Sequence, residues 1–292
     1  MTDLADPEAY LAIEDLELAA DGIVNGIWQG YRRSPFRGSG SEFESHRDYR
    51  PGDDPKHVNW VMLARHRRLC VKEYRTETNL PLYLLLDASG SMSVANGQSN
   101  KFHYAARAIA ALSRLAHDNR DATSLLILKE GVETILPPRA GTRHFQEMLA
   151  TLQQTKPTGV GDLAQALEES IAYCKHRGLV IIFSDLFDGE EETLRALRCI
   201  REQGHEVIVY QILDPLEHSL PDSADLEFED AETGRIIRTS AGAIRKEYAK
   251  KVASWRAQME HLCESSGIEW LTCSTEDPLS EILAGFLHRR SN

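Results

Sequence analysis

The feature that most constrains the fold is a series of short apolar segments that alternate with helical patterns after residue 80. Residues 82–86 (Leu-Tyr-Leu-Leu-Leu) and 179–183 (Leu-Val-Ile-Ile-Phe) are apolar at every position, which is typical of strands covered on both faces. Between them, apolar residues recur at a spacing of three to four, which predicts helices over 101–118, 142–154 and 161–176. Strands joined by such helices form right-handed crossovers. The pattern therefore predicts an α/β fold with a mostly parallel sheet flanked by helices.

The same alternation continues through the rest of the chain. It predicts further strands at 123–129, 132–136, 206–213 and 268–273. Helices are expected at 190–203, 242–265 and 277–288. Two short stretches around 226–238 flank the turn sequence Asp-Ala-Glu-Thr-Gly and predict a hairpin.

Residues 1–80 have a different character. Residues 3–30 carry a helical pattern, whereas the following residues are rich in turn sequences and suggest one strand at 68–76. We therefore predict an N-terminal helical and irregular segment over 1–80, followed by one α/β domain over 81–292.

The amino-acid composition argues against several classes of function. The chain of 292 residues has 33 basic and 45 acidic side chains, and this acidity argues against a general nucleic-acid or membrane coat. Its five cysteines are scattered without a Cys-x-x-Cys pair, which indicates reduced thiols. Neither a run of 18 apolar residues nor a signal-peptide pattern is present. We expect a cytoplasmic protein without a membrane span.

The charge is unevenly distributed. Residues 31–75 hold eleven basic and six acidic side chains, so this segment is positive within an acidic chain. One interpretation is a partner-binding surface that uses Arg47, Asp53, Asp54 and Arg65. The other is an internal clamp, in which Pro51-Gly52 forms a turn and Trp60 packs into a core.

The loop after the first core strand carries the clearest chemical pattern. Asp87-Ala-Ser89-Gly-Ser91 offers only oxygen ligands, which suit Mg²⁺ or Mn²⁺. Asp185 follows the strand at 179–183, and the carboxyl ends of parallel strands meet at one edge of the sheet. These residues predict a metal site at that edge. The alternative is that they act only as turn and helix-capping residues.

Two resemblances extend this interpretation. Leu-Leu-Leu-Asp87-Ala-Ser89-Gly-Ser91-Met resembles the metal-ion-dependent adhesion site of von Willebrand factor A domains, and the likeness covers about residues 81–290. Upstream, Gly38-x-Gly40-x-Glu42-Phe-x-x-x-Arg47-x-Tyr49-x-Pro51-Gly-Asp-Asp54 resembles the bacterial family catalogued as domain of unknown function fifty-eight. Together they imply a von Willebrand factor A-like, Rossmann-like sheet with Mg²⁺ or Mn²⁺ on Asp87, Ser89, Ser91 and Asp185.

The chain departs from the adhesion-site pattern in one loop. The pattern expects a threonine before the helix that starts near residue 162, where this chain has Gly161-Asp162. Thr158 lies three residues earlier. Three interpretations stay open: Thr158 replaces the missing ligand, Asp162 binds through water, or the site has low affinity.

The resemblance implies a non-enzymatic, metal-dependent protein interaction module. In this interpretation a partner supplies an acidic side chain to the ion. The implied partner is a MoxR-type AAA+ ATPase, acting in the assembly or maturation of a protein complex. A metal-dependent hydrolase and a structural scaffold without metal are the alternatives. Sequence signatures of a P-loop, a nucleophile elbow and a His-Glu-x-x-His zinc site are absent.

Overall fold

The chain divides into two compact units. The computed structural model describes residues 7–30, 43–48, 70–74, 80–95, 99–187, 190–218, 226–229, 236–239 and 241–291. One unit comprises Met1–Arg33 with Leu80–Asn292, and the other comprises Ser34–Asn79. The division into domains at residue 80 stays a prediction, although the N-terminal helix is grouped with the larger unit.

Helices and strands alternate along most of the described chain. The helices are α1 (Pro7–Gly30), α2 (Lys101–Asp118), α3 (Thr142–Gln154), α4 (Leu163–Ser170), α5 (Glu190–Glu202), α6 (Pro215–His218), α7 (Ala241–Ser265) and α8 (Leu279–Ser291). The strands are β1 (Phe43–Asp48), β2 (Cys70–Tyr74), β3 (Leu82–Asp87), β4 (Thr123–Leu128), β5 (Val132–Arg139), β6 (Leu179–Ser184), β7 (Glu206–Leu213), β8 (Leu226–Glu229), β9 (Ile236–Thr239) and β10 (Glu269–Ser274).

The larger unit is built on a mixed, mostly parallel sheet. Within the described residues, this sheet has six strands in the order β10-β7-β6-β3-β4-β5. All neighbouring strands are parallel except β4 and β5, which are antiparallel. Residues 83–87 of β3 and 180–184 of β6 are buried at every position, as expected for central strands covered by helices on both faces.

Helix α1 packs on the helical layer that covers the sheet. It contacts α2, α3 and α8. Its buried side chains recur at helical spacing on one face: Leu16, Ala20, Val24 and Ile27. Arg114 of α2 also pairs with Asp21 across the helix interface at 3.2 Å. Apolar burial along this face explains the position of α1 better than the half-exposed ion pair does.

The outer strand of the sheet contains two consecutive prolines. β5 lies at one edge, beyond β4, and includes Pro137 and Pro138. The pairing of β4 with β5 shifts register between Thr123 and Leu125, which is the part of β4 that faces the prolines. The Ser124 hydroxyl donates to the Leu136 carbonyl at 2.8 Å within this irregularity.

The two smaller sheets are antiparallel pairs. β1 pairs with β2 in the unit Ser34–Asn79, where Arg47 lies opposite Val71. β8 pairs with β9, which confirms the predicted hairpin. The sequence did not predict β1, because Phe-Glu-Ser-His-Arg-Asp has one apolar residue and no alternation.

Most predicted boundaries agree with the structure to within a few residues. The helices over 101–118 and 142–154 are confirmed with their predicted ends. The helix predicted over 161–176 was too long, since α4 spans Leu163–Ser170. It begins late because the Asp162 side chain accepts a hydrogen bond from the Gln165 amide at 2.9 Å and caps the helix.

Gly178 is required where the chain enters β6. A Cβ at Gly178 would lie 2.3 Å from the Pro81 carbonyl oxygen and 2.9 Å from the Tyr83 ring. Because a backbone atom is the nearest obstacle, we expect Gly178→Ala to lower the free energy of unfolding by about 1–3 kcal/mol. Urea denaturation followed by circular dichroism measures this change.

Gly22 provides the matched control for this substitution. It is exposed within α1, and a Cβ there would meet nothing within 4 Å. Gly22→Ala should therefore raise the free energy of unfolding by roughly 0.5–1 kcal/mol through helix propensity. Equal effects of the two substitutions would contradict the steric argument.

Candidate metal-ion site

The carboxyl ends of β3 and β6 bring the predicted acidic residues together. The strands are parallel with Leu86 opposite Phe183, so Asp87 lies beside Ser184. The Ser184 hydroxyl donates to Asp87 Oδ2 at 2.6 Å and accepts from the Leu186 amide at 3.0 Å. All three residues are buried. One serine therefore fixes the Asp87 carboxylate and the backbone that carries Asp185.

The two predicted serines lie in the loop after Asp87. The Ser89 amide donates to Asp87 Oδ1 at 2.9 Å, which closes the start of the loop. Residues Gly90–Ser93 then form one turn of 3-10 helix. The Ser89 and Ser91 hydroxyl oxygens are 3.0 Å apart. This separation is that of a hydrogen bond between the two hydroxyls. It is also compatible with adjacent ligands of an octahedral Mg²⁺ at 2.0–2.1 Å, which lie about 3 Å apart.

Thr158 belongs to a loop that lies against this one. The Thr158 amide donates to the Ala88 carbonyl at 3.1 Å, and the Gly90 amide donates to the Gly159 carbonyl at 2.8 Å. The Thr158 side chain is exposed, and its hydroxyl is 3.5 Å from the Lys156 carbonyl. The backbone at Thr158 therefore lies against the loop that follows Asp87. Its role as a ligand stays a prediction, and the Asp162 carboxylate is used to cap α4.

Asp185 is held by a lysine that the sequence analysis did not identify. Lys101, the first residue of α2, is fully buried, and its Nζ lies 2.7 Å from Asp185 Oδ2. The same ammonium lies 2.5 Å from Glu217 Oε1. The Glu217 Oε2 atom accepts from the Asp214 amide at 2.8 Å. The buried ammonium at the start of α2 is therefore contacted by carboxylates from the segments after β6 and β7.

Of the two partners in this ion pair, Lys101 had a recognisable sequence pattern and Glu217 did not. Lys101 occupies the first position of a helix and directly precedes the buried Phe102, so a basic residue at the start of an apolar face was visible. Glu217 left no comparable signal, because it lies 116 residues away and reaches Lys101 through the tertiary fold.

The turn after Asp185 is strained. Leu186 has a φ of 61°, in the left-handed region that non-glycine residues rarely adopt, and its side chain is buried. The Asp185 carbonyl accepts from Gln211 Nε2 at 3.2 Å. Together with the bond from the Leu186 amide to Ser184, this contact holds Asp185 at the sheet edge despite the strain.

The electrostatics distinguish the two carboxylates. Burial, and then the nearby Asp185 carboxylate, raise the pKa of Asp87 to about 6. Burial alone would lower the pKa of Lys101, but Asp185 and Glu217 outweigh it and the pKa is raised. Among the described residues, Asp87 has hydrogen-bond donors but no basic side chain as an ion-pair partner. A cation would relieve this charge.

The donor set favours a hard ion over zinc. In the part of the chain that the structure describes, no three His, Cys, Asp or Glu side chains cluster to hold a metal. The available groups are the Asp87 and Asp185 carboxylates, the Ser89 and Ser91 hydroxyls, and water. Carboxylate, hydroxyl and water ligands are typical of Mg²⁺, so the residues present fit the predicted ion.

The residues predicted to bind a partner are described only in part. Arg47 lies in β1, opposite Val71 of β2. Asp53, Asp54 and Arg65 lie outside the described residues, as does Trp60. The choice between a binding surface and an internal clamp therefore stays a prediction.

The comparisons establish the family. Residues 45–258 match the profile described as "Protein of unknown function DUF58". The chain belongs to this family. The match agrees with the resemblance noted upstream of residue 55. The chain is also 31% identical to "Uncharacterized protein Rv1480" of Mycobacterium tuberculosis, over 99% of this chain and 92% of that protein.

Solved structures resemble the fold. An aerotolerance-related membrane protein from Bacteroides fragilis aligns with 73% of this chain and 98% of its own, at 15% identity and a TM-score of 0.51. The SpRpn10 VWA domain aligns with 70% and 93% respectively, at 12% identity and a TM-score of 0.43. The predicted α/β architecture, a mostly parallel sheet flanked by helices, is confirmed. None of the helices in the described residues has the length and apolarity needed to cross a bilayer.

The raised pKa of Asp87 makes a prediction about metal-free protein. A buried acid whose pKa is raised on folding binds extra protons in the folded state, so its contribution to stability falls as pH rises from about 4 to 6. Because asparagine does not titrate, Asp87→Asn should abolish this pH-dependent loss of stability. In EDTA, we expect the stability of wild type relative to Asp87→Asn to fall by about 1–3 kcal/mol between pH 4 and pH 7.5. The loss of one acceptor oxygen in asparagine adds a cost that does not depend on pH.

Urea denaturation from pH 4 to pH 8 measures the difference between Asp87→Asn and wild type. The difference should grow between about pH 4 and pH 6 and stay constant above that range. A difference that does not change with pH would show that Asp87 does not titrate as described.

Proposed function

We propose that this protein is a non-enzymatic, metal-dependent protein interaction module. The observation that carries the proposal is the buried Asp87 carboxylate, which has no basic partner among the described residues and adjoins two hydroxyls 3.0 Å apart. Mg²⁺, or Mn²⁺ in its place, fits these oxygens. The family membership and the von Willebrand factor A-like fold are consistent with this function.

The residues of the candidate site have different proposed roles. Asp87, Ser89 and Ser91 would hold the ion from one loop, and Asp185 and Thr158 would contribute from two other loops. When bound, the ion supplies a Lewis-acidic position that a carboxylate from a partner can complete. Ser184 orients Asp87 through its hydroxyl, and Gly90 and Gly159 fix the two loops through their backbones.

Three exposed apolar side chains lie in segments that connect strands of the large sheet. Val160 is 50% exposed in the loop after Thr158, Phe187 is 39% exposed two residues after Asp185, and Leu216 is 37% exposed after β7. We propose that these side chains form part of the partner-binding surface. The expected partner segment therefore combines an acidic side chain with apolar neighbours.

The proposed partner follows from the family resemblance. The family resemblance implies a MoxR-type AAA+ ATPase, with a role in the assembly or maturation of a protein complex in the cytoplasm. What supports this step is membership of the family. The fold alone does not select a partner.

Titration calorimetry with Mg²⁺ tests the metal site. Wild type should bind one ion, and Asp87→Ala or Ser89→Ala should weaken the affinity at least about tenfold, since each removes a ligand. Ser93→Ala is the matched control, because this exposed residue lies in the same turn and its hydroxyl donates to the Gly90 carbonyl. No binding heat and no shift in melting temperature for wild type would refute the metal site.

A pull-down with a purified MoxR-type ATPase tests the interaction. Capture should require Mg²⁺, should be lost in EDTA, and should be lost in Asp87→Ala although that variant folds. Val160→Ser should weaken capture without changing Mg²⁺ affinity, whereas Tyr173→Ser, at another exposed apolar position, should change neither. Capture that persists in EDTA would contradict a metal-dependent interface.

A further inference from the structure

Lys101 occupies a position that is unfavourable for a positive charge in two respects. It is the first residue of α2, where the helix dipole repels cations. Its side chain is also fully buried, so the ammonium has lost its hydration. A lysine in such a place requires compensation, and an uncharged residue would avoid both costs.

Two carboxylates provide that compensation. The ammonium contacts Asp185 Oδ2 at 2.7 Å and Glu217 Oε1 at 2.5 Å, and it lies 5.6 Å from the centre of the Phe187 ring. Glu217 is itself anchored, because its Oε2 accepts from the Asp214 amide and its carbonyl accepts from the Tyr248 hydroxyl at 3.2 Å. The ends of β6 and β7 are thus tied to the start of α2.

The pairing of Lys101 with Asp185 changes the charge of the candidate metal-ion site. Asp185 is one of its two carboxylates and lies close enough to Asp87 to affect it electrostatically. The Lys101 ammonium is shared between Asp185 and Glu217, so with Asp87 these four groups carry three negative charges and one positive charge. Lys101 thus reduces the negative charge presented to an ion by one. An ion that uses Asp185 must also approach a buried ammonium, which repels it strongly at low dielectric.

We propose that Lys101 is a built-in counter-ion of the metal site: it positions Asp185 when no ion is bound, and it lowers the affinity of the site for divalent cations. The inference rests on the proposed function. It also gives the partner a further role, because a carboxylate brought by the partner restores the negative charge that Lys101 cancels. Binding of the ion and of the partner is then cooperative.

Lys101→Met tests the inference, since methionine keeps most of the side chain's length and removes the charge. Calorimetric titration with MgCl₂ should show an affinity at least about tenfold tighter than that of wild type, as expected when a nearby like charge is removed. In EDTA the variant should melt at a lower temperature than wild type, because two carboxylates lose their cation. A loss of structure alone would weaken ion binding, so the direction of change is diagnostic.

Glu217→Gln provides the opposite perturbation and a second route if Lys101→Met does not fold. It leaves the ammonium to Asp185 alone, so Mg²⁺ affinity should fall by about threefold or more. Ala111→Gly, a buried change in α2 distant in sequence from Lys101, destabilises the helix without altering charge and should leave affinity unchanged.

The outcomes separate the inference from the proposed function. If wild type binds Mg²⁺ and Lys101→Met binds equally or more weakly, the counter-ion role is wrong and the metal site stands. If neither binds, both proposals fail. If Lys101→Met does not fold, an unchanged affinity in Glu217→Gln overturns the inference.

Discussion

The geometry of the site depends on one buried hydrogen bond, from the Ser184 hydroxyl to the Asp87 carboxylate. It joins the ends of the two central strands, β3 and β6, at the point where the chain leaves the sheet. The same serine accepts from the Leu186 amide and so stabilises the strained turn that follows Asp185. Removing the hydroxyl would leave a buried donor and a buried acceptor without their partner, which is more costly than the loss of an ordinary surface contact.

A second constraint is the balance of buried charge. Asp87 and Asp185 lie at the same edge, while Lys101 pairs with Asp185 and Glu217 rather than with Asp87. Within the described residues, the fold therefore satisfies one carboxylate with an internal cation and leaves the other with hydrogen-bond donors alone. A buried carboxylate without a cation lowers the stability of the fold but creates a localised negative potential. Binding sites commonly show this exchange of stability for function.

Much of the fold could be predicted from the sequence, because the decisive information was local. The apolar segments of β3 and β6 specified buried parallel strands, and the ends of α2 matched its apolar periodicity. Asp87, Ser89, Ser91 and Asp185 could be placed at one sheet edge for the same reason. Lys101 and Glu217 could not, since their contact depends on how α2 and the end of β7 pack. The Thr158 hydroxyl depends on loop conformation that spacing alone does not determine.

The prolines of β5 limit how the sheet can associate with other chains. An unpaired edge strand ordinarily offers amide hydrogens with which another strand can pair, but Pro137 and Pro138 have none. The register shift in β4 opposite these prolines makes this edge of the sheet irregular as well. Growth of the sheet by strand addition is therefore disfavoured on this side. The opposite edge, formed by β10 in the described part of the chain, carries no proline and is not restricted in this way.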